Sequence, residues 1–360
     1  MQIIKNLILT VIITILFFTF SVTKGIDRGN NGRIKNDFKF LPIPYINYTR
    51  SIGFQLGALP MAQFNLSQKD TLSPSSVAGL FGMYSTNKTY FFFGFAKLYL
   101  NEDNWRFTTA GGTGSVNFQF YLEAPIDSWI PYNTKMTMFF IEAQRRAYKK
   151  LYFGLSYIYL KFDTETEITE GVFTNNLNGL GLKLLMDHRK NIYYPRDGFL
   201  SKIQYFTYPK FMGNESMSNK IKISYNHFFP FRKGEDVIAA RALVGLGLGD
   251  LSFNQQFIVG RGDDLRGYTQ GEYRGNYITV IQGEYRWNLN DSKFGFVGFL
   301  GLAAVFESIN EDHNGKILPG GGAGIRFTVS EETNMNVGID IAAGKGDWGI
   351  YFRVGESFNK

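Results

Sequence analysis

The chain has 360 residues, a formal charge of +7, 17% aromatic residues, 40 glycines and only 19% charged residues. That balance suits pleated strands that cross an interface, and basic charge spread along the chain without a basic arm argues against a nucleic-acid partner. With no cysteine there is no disulfide framework, thiolate metal site or lipid-bearing N-terminal cysteine, and past residue 20 no apolar run reaches the roughly 18 to 20 residues a membrane helix needs.

In chain order, residues 1–25 read as an export signal: Lys5 makes a basic start, Leu7 to Phe20 form the apolar core, and Thr23-Lys24-Gly25 offers a cleavage site. An uncleaved anchor is the alternative, but no stop-transfer pattern follows. Strands are then predicted at 52–66, 75–86, 88–100, 104–121, 132–146, 149–162, 178–188, 197–208, 217–229, 235–249, 274–288 and 293–307, with a further one between 36 and 50. The C-terminal region shows the clearest period of two. Ala323, Ile325, Phe327 and Val329 oppose Gly322, Gly324, Arg326 and Thr328; Met335, Val337, Ile339 and Ile341 oppose Asn336, Gly338, Asp340 and Ala342; Trp348, Ile350, Phe352 and Val354 oppose Gly349, Tyr351, Arg353 and Gly355.

Strands of about ten residues with one greasy face cross a bilayer at a steep tilt, and a bacterial barrel with both ends in the periplasm needs an even number of them, so sixteen is expected. Closure is obligatory, because an open edge in lipid leaves backbone groups unsatisfied. The expected organisation is a signal peptide (1–25) and an all-β, transmembrane antiparallel barrel of about sixteen strands (26–360). Too few residues separate the cleavage site from the first strand for a folded periplasmic module. The long connections are 163–177 and 250–273.

Chemistry has little to stand on. His188, His227 and His313 lie far apart, no Gly-x-Ser-x-Gly elbow occurs, and neither enzyme activity nor a cofactor or metal is expected. Arg261-Gly262-Asp263 spells an adhesion tripeptide inside a longer motif. Gly320 to Gly322 with Gly324 reads as a turn, since no Lys-Ser/Thr follows as in a phosphate loop.

Four segments resemble the BamA/TamA-like superfamily of outer-membrane barrels. Leu265-Arg266-Gly267-Tyr268 resembles its lid motif, in which an extracellular loop folds into the lumen and its arginine meets an acid on the inner wall. Gln282-Gly283-Glu284-Tyr285-Arg286-Trp287 resembles the strand supplying that acid, so Glu284 is the expected lumenal partner. Asp187, Arg189, Pro195 and Gly198 fit the family's periplasmic turn, and Gly349 to Phe358 resembles its closing strand, with Phe352 and Phe358 as the aromatic assembly signal. The likeness spans roughly 178–358.

Where the family has a second lumenal carboxylate, this chain has Gly301, in Phe299-Leu300-Gly301. The expectation is that Glu284 is the sole acid for Arg266, giving a barrel that conducts poorly at rest under a loosely held lid. The resemblance implies residence in the bacterial outer membrane and a part in protein or lipid transport or assembly, by opening between the first and last strands. A lidded pore or structural barrel, and a subunit docking a separate periplasmic or surface protein, are the alternatives. Outer-membrane lipid is the expected surrounding partner.

Overall fold

The computed structural model describes residues 38–359, apart from 51, 124–126, 167–170, 261–263 and 290–291. The expected export signal and the Arg261-Gly262-Asp263 tripeptide lie outside the described residues. Alternating sequence becomes strand throughout: β1 (Lys39–Thr49), β2 (Gly53–Phe64), β3 (Ser76–Ser85), β4 (Tyr90–Leu100), β5 (Trp105–Leu122), β6 (Ser128–Tyr148), β7 (Leu151–Thr166), β8 (Phe173–Asp187), β9 (Gly198–Tyr208), β10 (Ser218–Phe231) and β11 (Asp236–Gly249). Two short strands, β12 (Phe257–Ile258) and β13 (Arg274–Gly275), pair with each other inside the long connection. The series then resumes with β14 (Tyr277–Asn288), β15 (Phe294–Phe306), β16 (Leu318–Ser330), β17 (Met335–Gly344) and β18 (Asp347–Val354).

All but β12 and β13 close into one antiparallel barrel of sixteen strands, each paired with its sequence neighbours, with β11 joined to β14 and β18 to β1. Pairing is antiparallel at every interface, so both ends of the strand series lie at one end of the barrel, here called the terminal end. Period two sorts the side chains. On β14, Ile281 is 67% exposed on the outer face whereas Glu284 is 2% exposed on the inner one, the sorting expected of a wall between lipid and a filled lumen.

The closing seam is uneven. β1 and β2 share eleven paired positions, from Lys39↔Gln63 to Thr49↔Gly53, but β1 and β18 share only Tyr48↔Ile350 and Thr49↔Gly349. Towards the terminal end the strands overlap. Leu41 and Ile43 on the inner face of β1, with Met61 and Val77 from β2 and β3, pack against Met335, Val337, Phe352 and Val354. By parity those last four belong to the outer face of β17 and β18, with Ile339 and Ile341. Tyr45 meets Phe352 edge to face at 5.7 Å, and the Phe352 amide donates to Asn47 Oδ1 at 3.2 Å. The last strands therefore tuck inside the first, and burial of apolar surface replaces the missing ladder.

Candidate functional site

The β11–β14 connection, 250–276, enters the barrel from the end opposite the termini. Its stem is the β12/β13 pair, extended by the Val259 amide donating to the Tyr273 carbonyl at 3.0 Å. Its tip presses on the inner wall of β14–β18, and Leu265, Arg266 and Tyr268 are each buried. Close approach needs bare backbone opposite. A Cβ on Gly301 would lie 3.0 Å from Leu265 Cδ1 and 2.7 Å from Gln282 Cγ. One on Gly320 would lie 2.9 Å from the Arg266 carbonyl oxygen. Gly267 takes φ +103 against Ala343, so a side chain there would meet both strain and backbone. The Tyr268 hydroxyl donates to the Pro319 carbonyl at 2.6 Å, and the Gly267 amide donates to Tyr351 Oη at 2.9 Å. Gly320 to Gly322 thus form no turn. They sit within β16, where the lid lies against the wall.

Arg266 crosses this glycine floor with its guanidinium 3.4 Å from the centre of the Phe299 ring. It pairs with Glu284 at 2.9 Å on one side and with Asp340 on the other. The expectation of one acidic partner is therefore corrected: β17 supplies a second carboxylate, two strands away from Gly301. The contacts continue outward. Arg286 binds Glu284 at 2.9 Å, Arg326 and Arg353 bind Asp340 at 2.6 and 3.2 Å, and Arg326 reaches Glu356 at 3.0 Å. Each carboxylate here is held by at least two groups, the arrangement that makes buried charge tolerable.

The terminal end is also filled. Asp187 grips Arg189 through both oxygens at 2.7 and 2.9 Å and binds Arg106 at 2.8 Å, while Arg106 forks onto Asp103 at 2.7 Å twice. Gly198 takes φ +93, where a Cβ would lie 2.2 Å from the His188 carbonyl oxygen. The Pro195 carbonyl accepts from Arg286 at 3.4 Å. The 188–197 turn thereby lies across the opening, with Tyr193 bonded to the Ser75 carbonyl and Asn191 to the Thr333 carbonyl at 2.9 Å. Burial pushes the Tyr194 phenol up to about 12.

The closing strand stops at Val354, short of the expected Phe358. Residues after it turn into the lumen. Phe358 is 1% exposed among Tyr194, Phe228, Val237 and Ala239. Arg286 donates to the Ser357 carbonyl at 2.7 Å, Asn226 to that of Phe358 at 2.9 Å and Arg189 to that of Asn359 at 2.7 Å. Phe352, on the strand, lies in the seam overlap described above.

A second loop, 307–317, bridges the mouth at the lid end. Asn310 donates to the Tyr121 carbonyl at 2.9 Å and accepts from the Glu123 amide at 3.0 Å, although β5 and β15 stand on opposite sides of the barrel. His313 packs on Tyr273 of the lid at 4.6 Å, and burial, with Lys316 nearby, lowers its pKa. Of these contacts, sequence reasoning missed Asp340, Arg326, Arg353 and Glu356 as parts of the lid network, and the whole Asp103–Arg106 pair.

Solved structures share this architecture. BamA from Haemophilus ducreyi lacking POTRA domains 1-3 matches with a TM-score of 0.58 at 12% identity, over 88% of this chain and 70% of that one. CdiB from Escherichia coli matches with a TM-score of 0.67 at 11% identity, over 90% of this chain and 63% of that one. CdiB from Acinetobacter baumannii matches with a TM-score of 0.57 at 12% identity, over 88% and 59%. The chain thus spans less than two thirds of either CdiB chain. At these identities the likeness is one of fold, and comparison with curated protein sequences found no match. A family model matches residues 63–358, nearly the whole strand series, and the chain is an outer-membrane β-barrel belonging to the Omp85 superfamily.

Proposed function

We propose that this barrel transports or assembles protein at the bacterial outer membrane, and that it passes its substrate by parting between β1 and β18. The observation that carries the reading is the seam, with two paired positions where the neighbouring interface has eleven. Parting there breaks two backbone pairings where a full ladder such as β1–β2 would break eleven. The apolar overlap behind it offers side-chain contacts that an incoming strand can replace. Membership of the Omp85 superfamily and likeness in fold to BamA and CdiB support a protein substrate. The reading includes no catalytic chemistry. Phe352 at the strand end is the aromatic that an assembly factor would read during the barrel's own insertion, and the 188–197 turn is the surface a periplasmic partner would meet.

A lidded structural barrel is the second reading, favoured by the charge network that seals the lumen. Reconstitution separates the two. Liposomes containing the purified barrel should fold an unfolded small outer-membrane protein several times faster than empty liposomes. Equal rates would favour the structural barrel.

A further inference from the structure

One chamber of the lumen does not look like the inside of a water-filled barrel. Inner faces of outer-membrane barrels are polar, yet Val116, Phe118, Met136, Met138, Leu160 and Phe206, from β5, β6, β7 and β9, line one wall of a chamber of about 560 Å³. Where β9 meets β10 the lining turns polar and basic, with Gln204 from β9, Lys220 and Lys222 from β10, and Arg274 from the lid. Lys222 lies 3.0 Å from Asp264, and Lys220 donates to the Gln255 carbonyl while its ammonium stands 4.4 Å from the Phe257 ring centre. Beside them Lys183 pairs with Glu142 at 2.8 Å, Arg241 pairs with Asp264 at 2.7 Å, and Lys202 sits next to Ser224 in the same inner layer. Against Glu142 and Asp264 those cations leave the wall positive in balance.

We infer that this chamber binds a single-chain acidic amphiphile of the long-chain fatty acid class, with its chain along the β5–β7 wall and its carboxylate at Lys220 and Lys222. The volume lies within the roughly 300 to 1,000 Å³ typical of small-molecule sites. A polypeptide strand would need both mouth loops displaced, and a sugar or nucleotide would leave the Met and Phe wall wet. Methionines adapt to a chain of variable shape, and lysines distinguish an acid from the matching alcohol. This inference is independent of the transport reading, since it concerns the resting barrel.

The test is equilibrium binding of radiolabelled oleate to the full chain in phosphatidylcholine nanodiscs, with empty nanodiscs as background. Oleyl alcohol serves as the uncharged probe. The expected result is one saturable site per barrel, at least tenfold weaker binding of oleyl alcohol, and at least tenfold weaker oleate binding in Met138→Glu and in the Lys220→Gln/Lys222→Gln pair. Heat-modifiable electrophoretic mobility reports that each variant is folded, and if Met138→Glu does not fold, Met138→Trp fills the same space. Absence of saturable uptake, equal affinity for oleate and oleyl alcohol, or unchanged oleate binding in the folded variants overturns the inference.

Discussion

Replacing Arg266 with Met keeps the aliphatic stem of the side chain but removes its charge from between Glu284 and Asp340. Two charge-assisted contacts at about 1.5 to 3 kcal/mol each set the scale for the docked lid at about 3 to 6 kcal/mol. Neither carboxylate is stranded, because Arg286 remains on Glu284 and Arg326 and Arg353 remain on Asp340. The low end therefore applies, about 3 kcal/mol, which is roughly a hundredfold in the equilibrium between docked and undocked lid. Hydrogen–deuterium exchange of peptides covering the lid reads that equilibrium directly, since the Val259 and Gly260 amides are bonded within the loop and the Gly267 amide is bonded to Tyr351. Exchange there should accelerate by about two decades, while amides of the β10–β11 ladder should be unchanged. Lid exchange within threefold of wild type would refute the assignment of Arg266 as the lock.

Gly301→Asp, which a missing-acid reading would expect to tighten the lid, should loosen it instead. Its Cβ would press on Leu265 and Gln282, and lid exchange should rise at least tenfold. Asp340→Asn should lower the melting temperature in detergent more than Glu284→Gln, because three arginines bind Asp340 and two bind Glu284. The folded state lowers the His313 pKa, so protonation opposes docking of the 307–317 loop. Docking should be full above about pH 6.5, the ordinary histidine value, and weaken as pH falls from there towards the depressed value. A polarity-sensitive dye at Glu311→Cys should report this, and His313→Gln should flatten the profile.

Alternation alone exposed nearly all of the barrel, because a strand between lipid and lumen must sort its side chains with period two. Even Asp340 stood on the correct, polar face of its strand. What alternation does not encode is which inner faces meet across the lumen: Asp340 and Arg266 are 74 positions apart, and only barrel curvature brings them together. Gly301 does not mark an absent acid: its bareness makes room for Leu265, a tertiary contact that the local sequence does not encode. The glycines at 320–322 are similar, since local propensity favours a turn where the tertiary need is a flat strand surface. Past Val354 no periodicity remains, and nothing in the local sequence marks the tail as lumenal filling. Phe352 and Val354 carry outer-face parity, yet the overlap covers them with β1, a contact that depends on where the last strand meets the first.

The transport account stands or falls on the seam. Tyr48 and Ile350 are directly paired, which puts their Cα atoms within reach of a disulfide, and the chain has no native cysteine. The decisive measurement is the rate at which the Tyr48→Cys/Ile350→Cys barrel, oxidised and then reduced, folds an unfolded outer-membrane protein in liposomes. The account predicts that oxidation brings the rate down to that of empty liposomes and that reduction restores it; an oxidised barrel working at the wild-type rate would contradict it.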